Sequence, residues 1–149
     1  LGMAMNGRIG PASKPVSDET YVSQTFTPEG VGLRPFAPVH VEQPWRKARV
    51  PGDLTIRWVR RDRSLAADSW NAVEIPMSEA SESWQVEILD GATAKRSLTT
   101  ATTSVVYSAA DQSADWGAPL GLGSSLDVRI AQIGQMFGAG AALTTTLWF

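Results

Sequence analysis

One histidine, two close pairs of carboxylates and a run of arginines are the side chains of this chain that could do chemistry. His40 is the single histidine, and there is no cysteine. A Ser-His-Asp relay would have to use His40, yet no G-x-S-x-G elbow or similar nucleophile turn is present. A zinc site takes three or four His, Cys or carboxylate ligands, so one His without Cys argues against it. Without cysteine the chain also has no disulfide or thiolate nucleophile. Glu79 and Glu82 in "SEASES", and Asp111 and Asp115 in "DQSAD", are spaced for paired-carboxylate work. Glycoside hydrolysis needs two such groups at a fixed separation across a sugar cleft. Both pairs lie in polar stretches without a cleft signal, so solvated loop acids are the expectation. Neither pair has the alternating Asp/Asn around a glycine of a calcium loop. "GAPLGLGSS", residues 117–125, has glycines but no lysine and no following helix, which makes it a loop rather than a phosphate cradle. No catalytic residue, cofactor or metal is expected.

The charges are unevenly placed. Seven of the thirteen basic residues fall between Arg46 and Arg63: Arg46, Lys47, Arg49, Arg57, Arg60, Arg61 and Arg63. Against Asp53 and Asp62 that window carries +5, leaving -7 for the rest of a chain whose total is -2. Ser64 to Ala94 holds six acids and no base. A nucleic-acid reader would add exposed aromatics or a groove-entering helix. Trp58, the aromatic inside the window, instead shares a face with Leu54 and Ile56. Arginines coating strand ends, where charge keeps sheet edges from pairing, are the expected reading, with a protein contact as the other. Nucleic acid is not an expected partner.

The elements that must position these groups read as strands. "DLTIRW" places Leu54, Ile56 and Trp58 on one side of an extended chain. "WQVEILDG" does the same with Trp84, Val86 and Ile88 before an Asp90-Gly91 turn. "LDVRIAQI" gives Leu126, Val128 and Ile130, and "ALTTTLWF" is rich in β-branched and aromatic residues. Weaker strands are expected at Val39 and Val41, Lys95 to Thr99 and Thr103 to Tyr107. Tyr107 to Gly117 is the one stretch that could form one or two helical turns. The pattern predicts an all-β, antiparallel β-sandwich of about seven strands over residues 39–149. Glu87 and Arg129, facing outward on neighbouring strands, are expected to form a cross-strand ion pair.

Residues 1–38 differ. They are rich in Gly, Pro, Ser and Thr, with room for one short strand near Tyr21 to Phe26 and no pattern for a core of their own. "RPFAP" reads as a stiff extended linker, and the boundary is placed after Pro38. An extended, irregular segment preceding the sandwich is expected, packed on it or on another chain. A length of 149 residues fits one domain with an appendage. No apolar run approaches the ~18 residues of a membrane span, and the first residues lack the plan of a secretion signal. The start at Leu1 suggests part of a longer polypeptide.

Six tryptophans exceed what one small sandwich readily buries. Trp58, Trp84 and Trp116 suit its core; Trp45, Trp70 and Trp148 either cover its open ends or anchor an interface. The candidate interaction surface is therefore Trp70 with Asp68 and Asn71, Trp45, Trp148, and Arg60, Arg61 and Arg63.

Two resemblances follow from these stretches. "DLTIRW", "WQVEILDG", "SLDVRIAQIGQMFGAGA" and terminal "LTTTLWF" together resemble a fibronectin type III domain, with Trp58 as its strand-B tryptophan and Trp84, Val86 and Ile88 as its strand-C run. Leu126 stands where that family usually has a strand-F tyrosine. "GLRPFAPVHVE", "GDLTIRWVRRDRS", "DSWNAVEIPMSEASESWQVEILDG" and "ADWGAP" are similar to the C-terminal part of the baseplate hub, or tail-tip, protein of gene transfer agents and related tailed phages. That resemblance runs from about Gly32 to the end. It implies a virion component at the distal tail, trimeric within the hub, touching other tail or baseplate proteins and without enzymatic activity. The alternative is a host-surface or glycan-binding module of the tail tip, with Trp70, Asp68 and Asn71 as its best local candidate.

Overall fold

The computed structural model describes residues 2–42, 49–63 and 77–149, and its internal contacts divide the chain into Leu1–Gly32 and Leu33–Phe149. The first unit is less irregular than its composition suggests. β1 (Met5–Ile9) and β2 (Val22–Phe26) pair antiparallel, with Met5 opposite Phe26 and Ile9 opposite Val22. The intervening loop folds around one side chain. The Tyr21 ring lies on Gly10, where a Cβ would come within 2.5 Å of it, and the Tyr21 hydroxyl donates to the carbonyls of Pro11 (2.8 Å) and Lys14 (3.0 Å).

The second unit is the sandwich. β3 (Leu54–Arg57) pairs with β6 (Ser104–Tyr107) as one two-stranded sheet. β4 (Trp84–Asp90), β5 (Thr93–Thr100), β7 (Ser125–Gly134) and β8 (Gly138–Trp148) form the other in the order β5-β4-β7-β8, all antiparallel. Period-two alternation points Leu54, Ile56 and Trp58 at Trp84, Val86, Ile88, Leu126, Val128, Ile130 and Leu147. Trp58 and Trp84 meet edge to face at 5.4 Å, and their joint burial joins the two sheets. This is the all-β antiparallel sandwich expected from the alternation, with six strands and a seventh pairing segment at Val39 among the described residues. Among the described residues no helix is long and apolar enough to cross a membrane.

Two stretches depart from the expected pattern. Val39 and Val41 do not make a strand. Val39 exchanges both backbone hydrogen bonds with Val59, while Glu42 N donates to Arg57 O, so one extra residue is accommodated opposite Trp58. His40 takes that strain with φ 49°, the left-handed conformation that such bulges usually give to glycine. His40→Val, branched at Cβ, is expected to cost about 1–2 kcal/mol in a urea melt, and His40→Gly to be close to neutral. The second departure is residues 34–38, anticipated as a linker and found within the sandwich's unit. Pro35 and Pro38 are buried, and Pro35 O accepts from Ala141 N at 2.9 Å. This strap lies against the β7–β8 hairpin, where Gly140 leaves room for it. A Cβ there would fall 2.7 Å from both Pro35 Cβ and Pro35 O.

α1 (Ala109–Trp116) links the sheets between β6 and β7 and is the short helix, about two turns long, expected within Tyr107 to Gly117. Ser108 caps it by accepting from Asp111 N at 3.0 Å, and Gly117 ends it at φ 84°.

Candidate functional site

The arginine run that ends β3 folds back on the acidic stretch preceding β4. Arg60 pairs with Glu82 at 3.2 Å and Arg63 with Glu79 at 3.1 Å. Asp62 accepts from both Ser78 N (2.9 Å) and Ser78 Oγ (2.8 Å), and Arg61 lies over the Phe36 ring at 5.2 Å. The strand exit and the strand start thus lie side by side, so among the described residues part of the basic run meets part of its acidic successor. Glu79 and Glu82 are ion-paired rather than merely solvated. Trp148 pairs with Ser125 at one end of β7, whereas Trp84, next to Glu82, pairs with Gln132 near the other. The arginines and Trp148 therefore occupy opposite ends of the large sheet. Trp45, Asp68, Trp70 and Asn71 lie outside the described residues.

The other acid pair also has a partner. Asp115 receives a two-pronged contact from Arg96, Nε at 2.6 Å and Nη2 at 3.0 Å, and a hydrogen bond from the Tyr107 hydroxyl at 2.7 Å. Trp116 Nε1 donates to that hydroxyl at 2.8 Å, and Asp111 pairs with Arg96 at 2.8 Å. Lys95 Nζ sits 4.1 Å over the Trp116 ring. The Arg96 contact holds the Asp115 carboxyl below its usual range, with the Tyr107 hydroxyl assisting against partial burial. Burial first, then donation to Asp115, pushes the Tyr107 phenol well above its ordinary value. Near neutral pH the carboxylate stays ionised and the phenol protonated, so the cluster clamps α1 onto β5. Tyr107 supplies the buried hydroxyl from the end of β6, while Leu126 fills the core.

A carboxyl with a lowered folded pKa stabilises the fold fully above its unfolded value, about 3.9. That contribution drains as pH falls through the folded value. The stability difference between wild type and Asp115→Asn should be largest at pH 6 and shrink steadily below about pH 4, checked by urea midpoints across that range.

Among the described residues two surfaces stand out for binding. The first is one face of the β1–β2 hairpin. Residues directly opposite share a face, so Met5, Phe26, Ile9 and Val22 gather on one side around Gly7 and Gln24. All four are exposed, between 47% and 67%. The reverse side is polar, with Thr25 Oγ1 donating to Asn6 Oδ1 at 2.6 Å beside Arg8 and Ser23. The second is the outer face of the large sheet. There Gln85, Glu87, Arg129, Ala131, Ala139, Gly140 and Ala142 line a shallow depression of about 300 Å³. Glu87 and Arg129 are direct cross-strand neighbours and form the expected ion pair, which lifts the Arg129 guanidinium above its ordinary value.

Sequence reasoning missed both surfaces. The hairpin signal was diluted by a long loop, and the alanines of the depression look like ordinary strand filler until β7 and β8 are in register. Among the described residues no three His, Asp or Glu side chains cluster as a metal site would require. No protein-family model matches the chain, and no curated protein matches it.

Proposed function

We propose that this chain is a non-catalytic structural part of a phage or gene transfer agent tail tip. In this reading it is a β-sandwich carried at the distal tail, present as a trimer within the baseplate hub and touching other tail or baseplate proteins. The stretches "GLRPFAPVHVE", "GDLTIRWVRRDRS" and "ADWGAP" supply the family expectation. The observation that carries an assembly role is the hairpin face of Met5, Ile9, Val22 and Phe26. A two-stranded ribbon is marginal in water on its own, and this one leaves its apolar side open. Contiguous exposed apolar side chains backed by a polar reverse face are what a neighbouring subunit covers. Arg60, Arg63, Arg96 and Arg129 of the sandwich, by contrast, are each paired with an acid.

The test is an Ile9→Glu, Phe26→Glu chain expressed in the cells that make the particles. Wild type should co-purify with intact tails. The doubly substituted chain should be missing from them while its sandwich melts at the unchanged temperature, because neither position belongs to the sandwich unit. Incorporation of the substituted chain at the wild-type level would sink the assembly role, as would wild-type chain that never travels with tails.

A further inference from the structure

On the outer face of the large sheet, we infer that the Gln85–Glu87–Arg129 depression binds the edge of a neutral polyhydroxylated ring, a pyranoside. This goes beyond the assembly role and does not depend on it.

Three features of the depression select that ligand class. The first is the way its polar groups are spent. Glu87 uses Oε2 on Arg129 Nε and Oε1 on Gln85 Nε2 (3.3 Å), and Gln85 Nε2 also reaches Ser97 Oγ at 3.2 Å. Glu87 thereby fixes two neighbours in place. Among the described residues Arg129 bonds through Nε, so both its Nη groups, like the Oε1 of Gln85, remain open to a ligand. Donors and an acceptor thus stand side by side, the complement of adjacent hydroxyls, each of which both gives and takes a hydrogen bond.

The second feature is charge. Arg129 and Glu87 cancel, so a carboxylate or phosphate drawn to the guanidinium meets Glu87 at the same place, whereas an uncharged polyol meets no such penalty. The third is shape. Ala131, Ala139 and Ala142 make a floor free of long side chains, onto which the C–H face of a ring can lie, while Gly140 is covered by Pro35. A volume of about 300 Å³ stands at the small end of ligand sites, suited to one ring rather than an extended chain. The alanine neighbours are placed by register: Ala131 opposes Ala142, next to the Arg129–Thr144 pair. The site is built from three adjacent strands of a rigid sheet, so its geometry is set before a ligand arrives.

The experiment is a titration of the isotopically labelled full chain with methyl glycosides of glucose, galactose and mannose, followed by NMR. An open, one-ring site should bind with a dissociation constant of about 1–10 mM. At least one glycoside should shift the Arg129 Nε–H, the Gln85 side-chain amide and the Ala131 and Ala142 amides along one saturating curve. Ala142→Leu, which fills the floor from an exposed position, should weaken that binding at least tenfold. Arg129→Lys keeps the pairing with Glu87 but loses the forked Nη donors, and should weaken it similarly if Ala142→Leu misfolds. No saturating shift with any glycoside up to about 100 mM overturns the inference. So does binding that Ala142→Leu and Arg129→Lys leave unchanged.

Discussion

Gln112→Leu is expected to destabilise the sandwich by about 3 kcal/mol, more than its exchange of one side chain for another of similar size suggests. Gln112 is fully buried, and both ends of its amide are used. Nε2 donates to Gly52 O (2.9 Å) and Tyr107 O (2.7 Å), while Oε1 accepts from Leu120 N (3.0 Å) and Arg49 Nη2 (3.3 Å). Arg49 completes the junction by donating to Leu120 O, Asp53 O and Gly52 O and lying over Phe149 at 5.6 Å. Two stretches far apart in sequence, residues 49–53 and 107–120, thus meet at one amide. Leucine restores the apolar volume but strands the Leu120 amide and deprives two carbonyls of a donor, each loss costing about 1–3 kcal/mol where water is excluded. A urea titration of the full chain reads the effect. A midpoint change worth less than about 0.5 kcal/mol would mean that water reaches this junction and replaces the lost bonds.

Gly140→Val should cost about 2–3 kcal/mol and do so by expelling the strap. The added Cβ would meet backbone on both sides, Pro35 O at 2.7 Å and Gln132 O at 3.0 Å, and neither can rotate away as a side-chain tip could. The expected outcome is loss of the Pro35 O–Ala141 N bond, seen as faster hydrogen exchange at the Ala141 amide, with protection kept at Val86 and Val128 in the core. Uniformly faster exchange across β4 and β7 would show instead that the strap and the sheets unfold as one.

The alternating strands were legible because one buried face imposes period two. Leu54, Ile56 and Trp58, and Trp84, Val86 and Ile88, could be placed inward from their spacing alone. So could the Glu87–Arg129 pair, which needs only that β4 and β7 be neighbours. What the sequence hid depends on distant partners. Arg49 looks like one more member of a basic window until Gly52, Leu120 and Phe149 surround it. Asp115 and Glu79 look solvated because Arg96 and Arg63 come from other parts of the chain. The strap was read as a linker because two prolines signal stiffness equally well in a free segment and in a docked one. His40 carries no local mark of its bulge, since the extra residue is defined by Val59 and Arg57 across the ladder.

The strap also sets how the sandwich responds to tension. A pull transmitted along the backbone through Gly32 reaches Pro35 first, and only behind it the paired bonds between Val39 and Val59. These attachments lie in sequence along the pulled segment, so they are loaded one after another and peel instead of sharing the force. The first few residues act as a weak fuse, and the tryptophan-centred interior is spared until they have let go.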